Sequence, residues 1–307
     1  MGFLYERIFP RWRPRDEWRP RGGPVSDAAF SLEWLGTAGW IVRSRTTTLL
    51  IDPFVTRPGL ASVALAPLVA APARVAPWLP SRVDAVLCGH SHYDHLLDAP
   101  AIALAAGARL AGSASTCAFG RAAGLPPERL VAIPSEGASF DVGDVTVRFV
   151  PSVHGRLGRL WIPFPGGVHG TPSLPRRVWN YRMGGAYGIL LSTAGSTLYH
   201  NGSADLVDAA LEGARADVLL VGLAGRNATR DYLARLCAAL GPSLVVPTHH
   251  DAFFAPLERG VHLLPGIDLE GFARETRHAA PKATIAMPDY RETLAVPAGD
   301  ARGAVFT

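Results

Sequence analysis

The segment from Cys88 to Leu96 constrains the chain most, because three histidines and one aspartate fall within six positions. These residues are His90, His92, Asp94 and His95, in the pattern H-x-H-x-D-H. The apolar run before them, Ala85-Val86-Leu87, is typical of a buried strand. Neutral imidazole and carboxylate are ligands of zinc, iron and manganese. Four such neighbours cannot all converge on one tetrahedral ion. We therefore predict two adjacent ions, with His90 and His92 at one, and Asp94 and His95 at the other. The alternative is a surface loop that is rich in histidine by chance.

Two further histidines follow predicted strands. His154 lies just beyond an alternating run from Val145 to Val150, and His249 lies at the end of an apolar run that begins at Leu244. A single histidine after a strand is more often a core or surface residue than a ligand. Their order along the chain, after the dense motif, favours His154 and His249 as further ligands.

Together these segments resemble the metallo-β-lactamase superfamily over roughly residues 31 to 290. Within it, the chain is most similar to the branch that contains the ascorbate-phosphate lactonase and the N-acylphosphatidylethanolamine-hydrolysing phospholipase D. The resemblance rests on the segments Glu33–Gly39 and Leu50–Pro53, on the H-x-H-Y-D-H-L form of the motif, and on the Pro- and Ala-rich insertion before it. Phe253 stands where such chains often carry an aromatic residue.

The resemblance implies an α/β protein with the four-layer αβ/βα sandwich of the metallo-β-lactamase fold, and Zn²⁺ as cofactor, as one or two ions, with Mn²⁺ or Fe²⁺ as alternatives. It implies one site at His90, His92 and His154, and a second at Asp94, His95 and His249. Asp94 would both bind metal and orient the nucleophile. Asp52 resembles the carboxylate that holds a ligand imidazole, although an aspartate before proline is also common in turns.

The chain departs from the family after the predicted strand that ends at His200. The family has Gly-Asp-Thr there, with an aspartate that bridges both metals, whereas this chain has Gly202-Ser203-Ala204. A serine hydroxyl is a poor ligand for zinc. Asp205 would compensate only if the backbone differed, and His200 is either turned toward the metals or an ordinary strand histidine. Occupancy of the second site is therefore open.

Residues 155–182 form a long segment rich in Gly and Pro that starts directly after His154. A long irregular loop in a compact domain usually has a function. We expect it to cover the metals and to supply substrate contacts from the following side chains: Trp161, Phe164, His169, Trp179 and Tyr181. The alternative for each is ordinary packing that fixes the loop.

Charge and composition narrow the possible partners. The net charge is +4, and residues 1–21 hold six arginines against three acidic residues, so the rest is near neutral. This disfavours a nucleic-acid partner. The most apolar stretch, 61–80, is broken by prolines, so we expect no stable membrane insertion. Three unpaired cysteines and the lack of a signal-peptide pattern favour a cytoplasmic location. Oligomeric state is not indicated.

We expect two parts, an N-terminal arm (residues 1–30) and a hydrolase domain (residues 31–307). The arm carries Trp12 and Trp18 among arginines and prolines, which favours an extended strap over the domain and leaves a membrane-surface or partner-binding arm as the alternative. Within the domain, the patterns predict these strands: 31–35, 39–44, 47–52, 84–88, 108–112, 129–132, 144–151, 186–193, 196–200, 217–222 and 243–247. They predict these helices: 99–107, 114–123, 204–213 and 229–240.

The sequence thus predicts a metal-dependent hydrolase that uses metal-activated water on an ester-like bond of a small-molecule or lipid-like substrate. A phosphodiester or phospholipid-like substrate comes first, a lactone second, and a β-lactam third. A different class of function is a non-catalytic or sensor protein on the same scaffold, with its second site lost.

Overall fold

Two mixed β-sheets form the centre of the molecule in the computed structural model, which describes residues 2–22, 28–157 and 161–307. The strands, in chain order, are β1 (Ala28–Gly36), β2 (Gly39–Arg43), β3 (Thr48–Ile51), β4 (Ala85–Leu87), β5 (Arg109–Gly112), β6 (Leu130–Ala132), β7 (Ala138–Val142), β8 (Val145–Ser152), β9 (Ala186–Ser192), β10 (Thr197–Asn201), β11 (Val218–Gly222), β12 (Leu244–Thr248), β13 (Thr284–Ile285), β14 (Thr293–Pro297) and β15 (Val305–Phe306). The first sheet has the order β15-β14-β1-β2-β3-β4-β5-β6, and the second has the order β13-β12-β11-β10-β9-β8-β7.

The described residues also form eight α-helices. They are α1 (Gly2–Ile8), α2 (Leu60–Leu65), α3 (Pro72–Val75), α4 (Tyr93–Leu96), α5 (Ala99–Ala106), α6 (Ala114–Ala122), α7 (Tyr232–Leu240) and α8 (Leu269–Ala279). Side chains such as Trp34 and Val246 fill the space between the sheets. Helices α5 and α6 pack on the outside of the first sheet, while α7 and α8 pack on the outside of the second. This is the predicted four-layer sandwich.

The strand alternation explains why most elements were predictable. Along β8 the burial alternates between buried and exposed residues, as a period of two requires. The apolar runs of β4, β11 and β12 are buried along their whole length and pair in parallel with their neighbours, as expected for strands covered on both faces. All the strands predicted from the sequence are present within a few residues of the expected bounds.

The predicted helix at 204–213 is wrong, because the structure has only a short 3₁₀ turn at Asp208–Leu211. Ala204 has a left-handed φ of 58°. The carbonyl of Asp205 accepts hydrogen bonds from Ser152 Oγ and Asn201 Nδ2, both at 2.9 Å. That carbonyl is therefore committed to neighbouring strands rather than to a helical turn. The helix predicted from 229 begins only at Tyr232, after a left-handed Asp231.

The sequence patterns predicted nothing beyond β12, where the structure adds α8 and three strands. They also missed α1, which ends before the first proline of the arm. From Pro10 to Gly22 the arm is largely extended, and Trp18 is buried against the outer layer of the second sheet. None of the described helices combines the length and the apolar character needed to cross a bilayer.

A buried ion pair joins the two halves of the sandwich beneath the turn between β1 and β2. Nη2 of Arg57 lies 2.6 Å from Oδ2 of Asp251, and their side chains are 1% and 0% exposed. The other oxygen of Asp251 accepts the backbone N–H of Thr37 at 2.7 Å. Tyr290 donates its hydroxyl to Asp251 at 2.5 Å. Only glycine fits at residue 36, where φ is +77° and a Cβ would lie 1.7 Å from Nη2 of Arg57.

The turn between β1 and β2 also holds the end of β12. The carbonyl oxygen of Thr37 accepts three hydrogen bonds, from Trp34 Nε1 at 3.1 Å, Thr248 Oγ1 at 2.8 Å and the His249 backbone N–H at 2.6 Å. Burial would lower the pKa of Arg57, but Asp251 and Tyr290 raise it, so the guanidinium stays charged. The ion pair therefore fixes the residues that follow β12 against the first sheet.

We expect Arg57→Met to destabilise the fold by about 3–5 kcal/mol, because it leaves the buried Asp251 carboxylate without its partner. Urea unfolding followed by circular dichroism measures this change. Arg82→Met is the matched control, since Arg82 is 70% exposed in its pair with Asp84 and should cost about 0–1 kcal/mol. Equal losses in the two variants would contradict the importance of the buried pair.

Candidate metal centre and cleft

Two groups of metal-ligating side chains lie next to each other at the carboxyl ends of the central strands. The first consists of His90, His92 and His154, and the second of Asp94, His95 and His249. Within each group the candidate ligand atoms lie within 4.8 Å of one another. The groups adjoin, since the ring centres of His90 and His95 are 3.8 Å apart. The structure thus brings together all six residues that the sequence singled out first.

In the first group, backbone carbonyls contact one ring nitrogen of His92 and one of His154. Nε2 of His92 is 2.8 Å from the carbonyl of Pro163, and Nδ1 of His154 is 2.7 Å from the carbonyl of Gly155. Nε2 of His90 is buried and has no hydrogen-bond partner. A buried imidazole nitrogen without a partner is costly unless a ligand takes it. The three histidines therefore fit a divalent metal that binds neutral imidazoles.

In the second group, a carboxylate orients the central histidine. Oδ2 of Asp52 lies 3.0 Å from Nδ1 of His95, while Oδ1 of Asp52 accepts the backbone N–H of Gly89 at 2.7 Å. Asp52 directly follows β3 and has a left-handed φ of 43°, and His249 has a φ of 52°. Such backbone strain is typical of functional sites. Nε2 of His249 and Nε2 of His95 lie 3.3 Å and 3.8 Å from Oδ2 of Asp94.

The environment favours neutral histidines in the first group and an ionised Asp94 in the second, whereas the pKa of His95 is raised. Burial lowers the pKa of His92 to about 4 and that of His154 to about 3, and it lowers the pKa of His90 well below 6.5. Burial would raise the pKa of Asp94, but the nearby His95 and His249 lower it, so its carboxyl stays ionised. Burial would lower the pKa of His95, whereas Asp52 and Asp94 raise it.

Ser203 occupies the position at which a carboxylate that bridges two metals was expected. Ser203 is buried and its hydroxyl donates to Oδ1 of Asn201 at 3.1 Å. Asp205 is not brought to the metal-ligating groups, because its Oδ1 accepts the Leu206 backbone N–H at 2.8 Å and lies 4.0 Å from Arg235. His200 is fully buried behind Asp52 and burial lowers its pKa to about 4, but it belongs to neither group.

The two groups open into a cleft of about 420 Å³. Besides the ligand candidates, the lining is mainly apolar and comes from three loops. The first supplies Leu157, Pro163 and Phe164, the second supplies Leu223, Ala224, Gly225 and Asn227, and the third supplies Phe253, Leu264, Pro265, Gly266 and Ile267. Tyr93 also lines the cleft, and burial raises its pKa, so its hydroxyl remains a donor. None of the described residues that line the cleft is Lys or Arg.

Only one of the five expected substrate contacts lines this cleft. Phe164 does so, 6.4 Å from the His92 ring, and the half-exposed Trp161 packs on Phe164 from outside at 6.5 Å. Tyr181 is a core residue stacked on Phe119 at 4.7 Å. Trp179 lies on the surface under the Arg177 guanidinium, and His169 is exposed. The later part of the loop therefore packs away from the cleft, with Tyr181 in the core and Trp179 on the surface. Residues 158–160 of this loop lie outside the described part of the chain.

Sequence reasoning missed the cleft walls that follow β11 and β12. The Leu223–Gly225 turn lies next to β12, whose carboxyl end carries His249. The Leu264–Ile267 turn contains a Pro-Gly pair, which indicated a loop but not its position. A general rule would have found both, because ligands in α/β folds bind beyond the carboxyl ends of strands.

Residues 31–249 match the family described as a beta-lactamase superfamily domain. Among curated relatives, a UPF0173 metal-dependent hydrolase of Carboxydothermus hydrogenoformans is 28% identical over 231 residues, which cover 73% of this chain and 86% of the relative. A second UPF0173 metal-dependent hydrolase, from Pyrobaculum calidifontis, is 28% identical over 230 residues, which cover 73% and 85% of the two chains.

Solved structures agree with the fold. A metallo hydrolase from the archaeon Ignicoccus hospitalis superposes with a TM-score of 0.55 at 18% identity, covering 91% of this chain and 98% of the other. An isothiocyanate hydrolase from Delia radicum gut bacteria gives a TM-score of 0.54 at 17% identity, covering 87% and 100%. At such low identities the likeness extends to the fold alone.

We expect the metal-free protein to lose stability as the pH falls from 6.5 toward about 4, the pKa of His92 and His200 in the folded chain. Above 6.5 these histidines are neutral in both states. Below it the unfolded chain binds protons that the folded chain does not, so unfolding becomes easier. Urea midpoints at a series of pH values, in the presence of a chelator, measure the slope. His200→Leu should reduce it, whereas the same change at the exposed His278 should not. A flat profile would contradict the burial of neutral histidines.

Proposed function

The chain belongs to the beta-lactamase superfamily, and from that premise we propose that it is a metal-dependent hydrolase that cleaves an ester-like bond. The observation that carries the proposal is the adjoining pair of ligand groups. The carbonyls of Pro163 and Gly155 contact one nitrogen each of His92 and His154, and Asp52 lies 3.0 Å from His95. Buried nitrogens without a hydrogen-bond partner remain on His90, His95 and His249. Such preorganisation has little value in a core and fits metal binding.

His90, His92 and His154 would hold the first ion, and Asp94, His95 and His249 the second. When bound, a divalent metal lowers the pKa of water from about 15.7 to about 7 and stabilises negative charge on a substrate oxygen. Asp94 stays ionised at neutral pH, so it can accept a hydrogen bond from the attacking water and orient it. Asp52 lies 3.0 Å from His95 and favours one orientation of its ring, and the lining of the cleft is mainly apolar.

Among ester-like bonds we favour a carboxylic ester or a lactone. The sequence patterns pointed first to a phosphodiester, but phosphates are usually held by Arg or Lys in addition to metal. The described lining of the cleft offers neither, and instead offers Phe164, Phe253 and Ile267. An uncharged acyl group could bury its carbon atoms there, because it brings no charge that would need a partner in the cleft.

A matched screen tests this proposal. Protein reconstituted with Zn²⁺, Mn²⁺ or Fe²⁺ would be assayed with para-nitrophenyl esters, lactones and bis-para-nitrophenyl phosphate. Turnover of esters or lactones supports the proposal, and preference for the phosphodiester would restore the first expectation from the sequence. Absence of any metal-dependent turnover would favour a non-catalytic sensor on this scaffold.

We expect His92→Ala to abolish nearly all hydrolysis and to remove most of the metal at the first group. The variant deletes one of three imidazoles. The fold should be retained, because the His92 side chain makes no capping hydrogen bond at the start of α4. Metal content by elemental analysis and kcat on the best substrate of the screen are the measurements. His278→Ala, on an exposed face of α8, is the control. Full metal retention in His92→Ala would refute the assignment.

The second ion should bind more weakly than the first. Asp94 is the only carboxylate among the six candidate ligands, and Ser203 adds no charge between two dications that repel each other once the first is bound. We expect less than two equivalents of metal in the wild type and a gain toward two in Ser203→Asp. Asp205→Asn should leave the stoichiometry unchanged, because its carboxylate faces Leu206 and Arg235. A wild type that retains two ions after dialysis would show that another group supplies the missing charge.

A further inference from the structure

The N-terminal arm lies against the loop that forms one wall of the cleft. We call residues 250–267, between β12 and α8, the wall loop. Five of its residues line the cleft, namely Phe253, Leu264, Pro265, Gly266 and Ile267. Both the arm and the wall loop fall outside the region 31–249 that matches the family. The matched region holds the start of the wall loop through Asp251, which pairs with Arg57 and accepts the Thr37 N–H, whereas the arm meets the loop farther along, at residues 261–263.

The arm and the wall loop pair through their backbones like two short strands. Trp12 donates its N–H to the carbonyl of Val261 at 2.9 Å, and Leu263 donates its N–H to the carbonyl of Pro10 at 2.9 Å. Arg11 and His262 form an isolated antiparallel bridge between these bonds. Leu264, the first cleft-lining residue after the bridge, is thus one residue from a backbone bond to the arm.

Aromatic side chains extend the contact to the metal-ligating groups. Phe9 is buried, with its ring 5.9 Å from Phe254. Phe254 is 4.7 Å from Phe253, which lines the cleft and lies 5.5 Å from His249. On the other side of the bridge, Trp12 meets the buried ring of His250 at 5.7 Å. Displacing Phe9 would therefore loosen Phe254 and remove only part of the support of Phe253, since Phe54 and Tyr93 also contact Phe253 at 6.2 Å and 6.3 Å.

We propose that the N-terminal arm positions the wall loop and thereby determines how long an apolar acyl group the cleft accepts. This proposal rests on the proposed hydrolytic function for its choice of substrate. Phe9 and Trp12 act as positioning residues, because they reach the substrate only through Phe253 and Leu264. Loosening the wall removes apolar contacts with the far carbons of a long acyl chain, whereas the metal ligands keep their own supports at Pro163, Gly155 and Asp52.

The test compares para-nitrophenyl acetate with para-nitrophenyl decanoate on the full chain loaded with metal. In Phe9→Ala and Trp12→Ala we expect KM for the decanoate ester to rise about tenfold, equivalent to losing the burial of about two methylene groups. KM and kcat for the acetate ester and the metal content should stay within about twofold of wild type. Phe9→Leu, which keeps most of the buried volume, should restore most of the preference for decanoate.

Phe140→Ala and Trp179→Ala are matched controls. Phe140 lies on the edge strand β7, and Trp179 lies on the surface beside Arg177, both away from the wall loop. A selectivity change of the same size in these controls would overturn the proposal, as would equal changes for both esters in Phe9→Ala.

Calorimetric binding of decanoate and acetate separates this inference from the proposed function, since binding needs no turnover. If the wild type hydrolyses neither ester, the hydrolytic proposal fails for esters. Weaker decanoate binding in Phe9→Ala than in the wild type would still support the role of the arm. Equal decanoate binding in the two proteins, or none in the wild type, would overturn it.

Discussion

The buried contact between Arg57 and Asp251 is the constraint on which the candidate site depends. It lies where the β1–β2 turn of one sheet meets the end of β12 in the other. An isolated charge could not be buried there, so each residue requires the other. Through Thr37, whose carbonyl accepts the His249 N–H, the pair also determines where the last imidazole lies. A contact that looks structural therefore sets the geometry of the second ligand group.

The geometry that suits metal ligands lowers the stability of the metal-free protein at this site. Several histidines are buried as neutral rings, and Asp52 and His249 adopt left-handed backbone conformations. Each feature costs folding free energy in the absence of a ligand. Metal binding would recover part of that cost, because it gives the unpaired nitrogens a partner. Both groups contain such nitrogens, Nε2 of His90 in the first and Nε2 of His95 in the second. The second group lacks a bridging carboxylate, since Ser203 stands at that position and donates to Asn201.

The sequence predicted which candidate metal-ligating residues lie together better than it predicted the cleft. His90, His92, Asp94 and His95 are close in the chain, and His154 follows a strand whose alternation is regular, so local patterns suffice to identify them. The role of Asp52 was also accessible, because a carboxylate at a strand end is a frequent partner of a ligand imidazole. Asp205 shows where local patterns fail. Its carboxylate is two residues from the expected bridging position, but the left-handed Ala204 between them redirects the chain toward Arg235.

The cleft walls were not predictable for a different reason. The candidate ligands lie at strand ends, whose positions follow from the sheet order. The cleft walls are instead held by contacts between segments that are far apart in sequence. Tyr181 and Phe164 belong to the same loop, but one stacks in the core on Phe119 and the other faces His92. Phe9 and Phe254 meet across more than two hundred residues, and no periodicity in either segment indicates it. The candidate metal ligands are therefore encoded by local patterns, whereas the cleft walls depend on the packing of loops against distant segments such as the arm.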